Sequence, residues 1–204
     1  MMKQDYPKDL QKAIDFHGHF CPGLAIGYRA AKAAMEKLQV ERAEDEELVA
    51  IVETDACGID AVQSLLGCTM GKGNLIYKDY GKQVYTIVSR KQNKAVRVAM
   101  RANVFPQSPA QEKLRSAVFS GQATEEERKE FQKMQQAKIK QLLTTDTDTL
   151  FKVEFVEMPL PQPAKIFRSV TCDYCGEPVM EPRARIKDGK IACLPCNEEY
   201  SRGW

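Results

Sequence analysis

The chain has 204 residues, of which 43% are hydrophobic, so it is long enough to bury a core of ordinary size and to carry one small further module. Its 30 Lys and Arg residues nearly balance its 28 Asp and Glu residues, and the formal net charge of +2 excludes a nucleic-acid binder that acts through overall charge. No run of about 18 apolar residues is present, so we expect no membrane-spanning helix.

The N-terminal sequence MMKQDYPKDLQ has neither an apolar signal core nor an Arg-rich transit character. We therefore expect the protein to reside in the cytoplasm. The seven cysteines agree with this expectation, because an odd number is seldom found in a secreted disulfide framework. Four of them are grouped near the C-terminus, and three are scattered through the N-terminal third.

The first half of the chain predicts a helix, a strand and a second helix. From Pro22 to about residue 39, apolar residues recur every three or four positions, which predicts an amphipathic helix. Gly23 and Gly27 lie four residues apart, so we expect another element to approach this helix closely. The following segments are a buried strand over 48–54, a Cys-Gly turn, a short helix over 59–67 and a Gly-rich loop over 67–75.

The second half of the core predicts a hairpin, two helices and a final strand. Two β-rich segments, 83–90 and 94–101, are joined by the short sequence KQN, which is typical of a hairpin. Ser108 precedes a proline at a predicted helix start, and Thr124 begins the sequence T-E-E-E, a capping box. The predicted bounds are 109–121 and 124–143 for the helices and 149–158 for the strand.

Three prolines within residues 159–165 indicate a stiff linker. We therefore expect three parts. The first, residues 1–158, is an α+β core with a mixed or antiparallel sheet and packed helices. The second is the Pro-rich linker over 159–167, and the third is a small zinc module over 168–204 of the zinc-ribbon or treble-clef kind.

Both histidines of the chain lie in the stretch DFHGHFCPG. His17, His19 and Cys21 alternate, so in an extended segment their side chains would share one face. Cys21 precedes Pro22, at the start of the first predicted helix, where unpaired N–H groups favour a thiolate. Cys57 lies in the same kind of place, between a strand and a helix. The four side chains together predict one site.

Two kinds of chemistry suit this site. Imidazole and thiolate ligands fit zinc or another borderline-soft transition metal, which makes all four residues candidate metal ligands. Cys21 or Cys57 would otherwise be a catalytic nucleophile, with His19 as its base. The structural alternative is that the histidines cap a turn and the cysteines are buried small hydrophobes. Cys68 carries this alternative more strongly, because it ends an apolar helix.

Two basic residues are candidates for contact with an anionic cofactor or ligand. Lys72 lies in the sequence GCTMGKGN, whose glycines could direct N–H groups at an anion, although the spacing does not match a P-loop. Arg97 belongs to the basic segment between Tyr80 and Gln111, which has no acidic residue. A plain tight turn and the solvated face of a hairpin are the alternatives.

The C-terminal cysteines form two C-x2-C pairs separated by 17 residues, which is the spacing of a four-thiolate zinc site. Between the pairs, RARIKDGKIAC predicts two short strands around an Asp-Gly turn. A short helix is expected after the second pair. The alternative is two disulfides or inert thiols, but so small a module has little core without a metal. The predicted ligands are Cys172, Cys175, Cys193 and Cys196.

Charge does not favour nucleic-acid binding by this module. Residues 168–204 carry as many acidic as basic side chains, and a zinc ion with four thiolates adds about −2. Since phosphate contacts supply much of the affinity for nucleic acid, a structural or protein-docking role is the favoured expectation.

Three stretches of the core resemble the E-subunit family of formylmethanofuran dehydrogenase: DFHGHFCPGLAIGYRAA, ETDACGIDAVQSLLGCTMGKGNL, and DYGK followed by VRV. The resemblance covers about residues 10–105, and the zinc module is similar to an extension of some members. For this chain the family implies an α+β core, a homodimer, and a Cys/His pocket at the positions of His17, His19, Cys21 and Cys57. The family takes its name from a molybdenum or tungsten enzyme that reduces carbon dioxide in methanogens.

Three functional hypotheses follow. The leading one is a metal-binding accessory protein of molybdenum or tungsten metabolism, with a Cys/His site in the core and a structural zinc in the tail. The second is a stand-alone enzyme that uses Cys21 or Cys57 on a small anionic substrate. The third is a regulator whose core senses a ligand and whose finger docks nucleic acid or protein. Whether the protein is an enzyme stays open on the sequence alone.

Overall fold

The computed structural model describes residues 6–197 and divides the chain into two units, Met1–Pro163 and Ala164–Trp204. The division falls inside the predicted Pro-rich segment. Arg90 donates hydrogen bonds to the backbone carbonyls of Pro161 and Gln162, so the first part of that segment is held against the core. No helix within residues 6–197 is long and apolar enough to cross a membrane.

The first unit has the α+β architecture expected from the sequence. The predicted helices and strands are confirmed to within a few residues, whereas α1 and β2 were not predicted. In chain order the described elements are α1 (Lys8–His17), α2 (Pro22–Leu38), β1 (Leu48–Val52), α3 (Gly58–Leu66), β2 (Leu75–Tyr77), β3 (Val84–Ser89), β4 (Lys94–Met100), α4 (Pro109–Phe119), α5 (Glu125–Thr144), α6 (Thr147–Leu150) and β5 (Phe151–Val156).

The five strands form one mixed sheet in the order β2-β1-β3-β4-β5. Strands β1 and β2 are parallel, and every other neighbouring pair is antiparallel. The predicted hairpin forms between β3 and β4, where Ser89 pairs with Lys94 and Asn93 takes a left-handed conformation. The carboxyl ends of β1 and β2 therefore lie side by side, and the chain that leaves β1 leads to Cys57.

The main hydrophobic core lies between the helices and one face of this sheet. Leu24 of α2, Val52 of β1, Tyr85 of β3 and Phe151 of β5 are among its fully buried members. Burying such side chains contributes about 1.5–3 kcal/mol each. A smaller cluster on the opposite face of the sheet consists of Val49, Ile51, Val88 and Ala95.

Helices α2 and α3 approach each other at glycine residues. A Cβ on Gly27 would collide with the carbonyl oxygen and Cα of Gly58, so the two backbones are in contact. Gly23, one turn earlier on α2, lies beside Cys57. The predicted close approach to α2 is thus confirmed, and the approaching element is the start of α3. This crossing fixes the positions of Cys21 and Cys57 relative to each other.

Helices α4 and α5 form an exposed hairpin. Both begin with the predicted capping boxes, in which Ser108 pairs with Gln111 and Thr124 with Glu127. Helix α4 has no buried residue, and the buried residues of α5 lie near its C-terminal end. Phe119 is 72% exposed at the end of α4.

The second unit contains two short antiparallel hairpins. Its described strands are β6 (Ser169–Thr171), β7 (Pro178–Met180), β8 (Arg185–Lys187) and β9 (Lys190–Ala192). The predicted turn forms at Asp188 and Gly189, both of which have positive φ. Of the expected closing helix, Leu194–Cys196 form one 3-10 turn, and residues 198–204 lie outside the described residues.

Candidate functional site

The histidine motif is not extended throughout, which corrects one expectation. Helix α1 continues to His17, and Gly18 ends it in a left-handed conformation with φ of 88°. The helix forms because Leu10 and Ala13 pack into the core. The side chain of His17 is therefore presented by the last turn of α1, and the chain reverses at Gly18.

The structure nevertheless brings His17, His19 and Cys21 together. One ligand atom from each lies within 4.8 Å of the others. His17 Nε2 is 3.8 Å from Cys21 Sγ, and the two imidazole rings are 4.4 Å apart between centroids. A tetrahedral zinc ion with one N and one S ligand separates those two atoms by about 3.5 Å. The three donors are thus close to the spacing that a metal ion requires.

Cys21 is the N-cap of α2, as the sequence predicted. Its sulfur accepts a hydrogen bond from the backbone N–H of Leu24 at 3.4 Å, and Pro22 occupies the first helical turn. The sulfur therefore lies at the positive end of a helix that is 17 residues long.

Cys57 lies beside Cys21, at the start of α3. A Cβ built on Gly23 would be 3.6 Å from the Cys57 sulfur and 3.8 Å from the Cys21 sulfur. Burial raises the pKa of the Cys57 thiol, and its hydrogen bond with Cys21 raises it further. Cys57 does not belong to the compact group formed by His17, His19 and Cys21, but it adjoins that group through Cys21.

Asp60 is a residue of this site that sequence reasoning missed. Its Oδ2 lies 2.6 Å from His17 Nδ1, and its Oδ1 accepts a hydrogen bond from Gln63. The side chain of His17 is only 11% exposed. The Asp60 carboxylate therefore fixes the ring of His17 with Nε2 directed at Cys21. The available signal was its position three residues after Cys57, in the first turn of α3.

Tyr85 packs against the start of α3 from the sheet. It is fully buried, and its hydroxyl donates a hydrogen bond to Gln83. A Cβ on Gly58 would collide with this hydroxyl. Burial raises the pKa of Tyr85, and the nearby Cys57 raises it further. Tyr85 is thus a neutral, polar neighbour of Cys57.

Cys68 is separate from the site. It is fully buried in the main hydrophobic core, where burial raises the pKa of its thiol to about 12. This environment is the one that the structural alternative expects for an inert, small apolar side chain.

Lys72 and Arg97 do not join the Cys/His group. Lys72 Nζ donates hydrogen bonds to the carbonyls of Glu44 and Asp45, before β1 begins, whereas Cys57 follows the opposite end of β1. Arg97 pairs with Thr86 in the sheet, on the face away from Tyr85, and forms an ion pair with Glu53 at 3.6 Å. An anion-binding role for either residue stays a prediction.

The four C-terminal cysteines cluster in the second unit, with their sulfurs within 4.8 Å of one another. The sulfurs of Cys175 and Cys193 are 3.8 Å apart, which matches the edge of about 3.8 Å in a tetrahedron with Zn–S bonds of about 2.3 Å. Asp173 holds the first pair against β9, because its carboxylate accepts the Ile191 N–H and its own N–H donates to the Ile191 carbonyl.

Backbone hydrogen bonds prepare the buried Cys172 for metal binding. N–H groups, first that of Cys175 and then that of Cys193, lower the pKa of Cys172 to about 6. The Cys193 N–H lies 3.3 Å from the Cys172 sulfur. Since zinc is bound by thiolate, these donors favour the ligand form of the side chain. The donor set fits a structural zinc ion.

Comparisons with known proteins agree with both units. Residues 16–152 match the family described as FmdE, molybdenum formylmethanofuran dehydrogenase operon. Residues 165–202 match the prokaryotic dksA/traR C4-type zinc finger. A crystal structure of an FmdE-like protein of tungsten formylmethanofuran dehydrogenase, from Syntrophus aciditrophicus, has a TM-score of 0.60 and 24% identity. The similarity covers 96% of this chain and 93% of that chain, and at this identity it shows a shared fold.

A relative from Archaeoglobus fulgidus is described as a probable S-adenosyl-L-methionine-binding protein. It is 39% identical over 198 residues, which is 94% of this chain and 53% of that protein. This chain thus spans about half the length of that relative. Since the family match extends over most of the first unit, the chain belongs to the FmdE family and carries a C4-type zinc finger.

Proposed function

We propose that the core binds one transition metal ion through His17, His19 and Cys21. The observation that carries this proposal is the convergence of three donor atoms within 4.8 Å at the ends of two helices. Imidazole and thiolate suit zinc and other borderline-soft metals. Three protein ligands would leave one position open, for Cys57 or for an external ligand.

The Asp60 carboxylate supports the same proposal. A metal-bound histidine commonly donates its second ring N–H to a carboxylate, which fixes the ring and makes the ligand nitrogen more basic. Asp60 occupies that place on Nδ1 of His17 and leaves Nε2 for the metal. Packing of a histidine requires neither an acceptor there nor a thiol on the other side.

From this site we infer an accessory, metal-handling role in molybdenum or tungsten metabolism, in the cytoplasm. The family and the name of the Syntrophus protein support this inference. A bound metal ion would supply Lewis acidity and a coordination position, while the chain holds the ligands and limits access. A molybdenum or tungsten enzyme is the proposed partner.

Metal content tests the core site directly. Full-length protein purified without added chelator should contain about two metal ions per chain, and Cys21→Ser should contain about one, which the finger retains. Cys68→Ala is the matched control, because Cys68 is buried outside the site, and it should still contain about two. About one ion per chain in both the parent and Cys21→Ser would contradict the proposal.

Asp60→Asn should weaken metal binding by the core about 10–100-fold and leave the finger unchanged. The amide retains the shape of Asp60 but loses the charge that steadies His17. Competition with a chromophoric chelator measures the affinity, and Asp55→Asn, in the loop before Cys57, is the control. Equal affinity in parent and Asp60→Asn would remove the orienting role of this carboxylate.

A stand-alone enzyme is the second candidate, and one observation favours it. Asp60, His17 and Cys21 are arranged in series, as an orienting acid, a base and a nucleophile would be. Cys21 as a nucleophile should alkylate rapidly near neutral pH both before and after chelation, whereas Cys21 as a metal ligand should be shielded until the metal leaves. S-adenosyl-L-methionine belongs among the small molecules to be titrated, because the Archaeoglobus relative is named for it.

We also propose that the protein is a homodimer. The family resemblance supports this, and the exposed Phe119 on the α4–α5 hairpin offers an apolar contact. The Gly23/Gly27 face of α2 cannot serve, because α3 covers it within the same chain. Sedimentation at micromolar concentration should give twice the chain mass of 23.0 kDa. A single species at the chain mass would refute the dimer.

A further inference from the structure

Cys21 and Cys57 lie next to each other with no side chain between them. The Cβ position of Gly23 is 3.8 Å from the Cys21 sulfur, 3.6 Å from the Cys57 sulfur and 3.1 Å from the Cys57 Cβ. Gly23 therefore leaves open the space through which the two thiols meet. We propose that these cysteines are a reversible oxidative modification site, at which a hydroperoxide converts the two thiols into a disulfide.

The backbone holds the pair in place. Cys21 immediately precedes α2 and Cys57 immediately precedes α3, and these helices touch at Gly27 and Gly58. Because the contact is between backbones, the two cysteines cannot move far apart without separating the helices. A disulfide needs Cβ atoms about 3.5–4.5 Å apart, and the hydrogen bond between the two thiols reflects a short separation. Only a small rotation about the side-chain bonds is then required.

The chemistry balances with hydrogen peroxide as the oxidant. The Cys21 sulfur attacks one peroxide oxygen, the O–O bond breaks, and the departing oxygen takes the thiol proton to form water. The Cys57 sulfur then attacks the Cys21 sulfenic acid, the S–O bond breaks, and the hydroxyl leaves with the second thiol proton as water. Two thiols lose two electrons in total, and one peroxide is reduced to two waters.

A disulfide would take Cys21 out of the group formed with His17 and His19. This consequence rests on the proposed function, because it converts oxidation into release of the core metal ion. Cys68 cannot substitute for either partner, because it is fully buried in the hydrophobic core. The disulfide itself does not depend on a metal.

Peptide mapping tests the inference on the full-length protein. The protein is treated with increasing hydrogen peroxide, denatured, alkylated and digested with trypsin. Cys21 lies in the peptide 13–29, and Cys57 shares the peptide 43–72 with Cys68, so Cys68→Ala is mapped alongside the parent. We expect loss of the alkylated forms of Cys21 and Cys57 and appearance of a crosslinked mass that a dithiol reductant removes. In Cys57→Ser, Cys21 should instead proceed to sulfinic acid.

The finger provides an internal measure of the oxidant dose. If its four cysteines are oxidised while Cys21 and Cys57 remain alkylated, the inference is wrong. A crosslink from Cys21 to any other cysteine overturns it as well. Metal content is measured on the same samples before oxidation. A Cys21–Cys57 disulfide without a core metal would refute the proposed function alone, and a core metal without the disulfide would refute this inference alone.

Discussion

Cys193→Ser is expected to release the zinc ion and unfold the finger while the core keeps its fold. Within the described part of the second unit, the only buried residues are Cys172, Ala192 and Cys193, so little apolar packing remains without the metal. Binding of structural zinc contributes about 10–16 kcal/mol in such modules, which far exceeds what two three-residue hairpins supply. Zinc content and limited proteolysis within residues 159–167 report the change.

Ile186→Ser is the control for this experiment. Ile186 belongs to the same unit, but its side chain is 72% exposed and it is not one of the clustered cysteines. This variant should retain its zinc and resist protease as the parent does. If Cys193→Ser keeps a full complement of zinc, or loses zinc without becoming sensitive to protease, the structural-zinc account is wrong.

Gly27→Ala should destabilise the core by about 3 kcal/mol or more, because the added methyl group meets the backbone of Gly58 and neither helix can yield alone. Helix propensity by itself would favour alanine here by about 1 kcal/mol, so the two effects have opposite signs. Urea denaturation followed by circular dichroism measures the free energy of unfolding. The same displacement moves Cys57 away from Cys21, so core metal binding should weaken as well.

Gly71→Ala is a matched control, because a Cβ at Gly71 meets nothing within 4 Å. Its free energy of unfolding should lie within about 0.5 kcal/mol of the parent value. A Gly27→Ala protein as stable as Gly71→Ala would mean that α2 and α3 are not in backbone contact. The close placement of Cys21 and Cys57 would then lose its main support.

Local signals were sufficient for most elements of the core. Apolar periodicity marked α2, α3 and β1, and capping residues placed the starts of α4 and α5 at Ser108 and Thr124. The C-x2-C spacing predicted a zinc finger, which the family match supports. These features depend on residues close together in sequence, so they are readable without the fold.

Features set by tertiary contacts were not predictable in the same way. Helix α1 begins after Pro7 without a side-chain cap, and its burial depends on the rest of the core. Asp60 reaches His17 across 43 residues of sequence, a pairing that only the packing of α1 on α3 creates. The sequence pattern offered His19 as a base, whereas the fold places His17 between Cys21 and a carboxylate. The grouping of His17, His19 and Cys21 was predicted, but from an extended chain that the helix replaces.

Anomalous diffraction at the zinc absorption edge, from crystals of the full-length protein, tests the central claim most directly. We expect two peaks per chain, or a second peak at another metal's edge if the core selects that metal. One peak should lie among the four finger cysteines. The other should lie about 2.0–2.3 Å from His17 Nε2, a His19 nitrogen and Cys21 Sγ. A peak in the finger alone, with unliganded His17 and Cys21 at every transition-metal edge, would contradict the account.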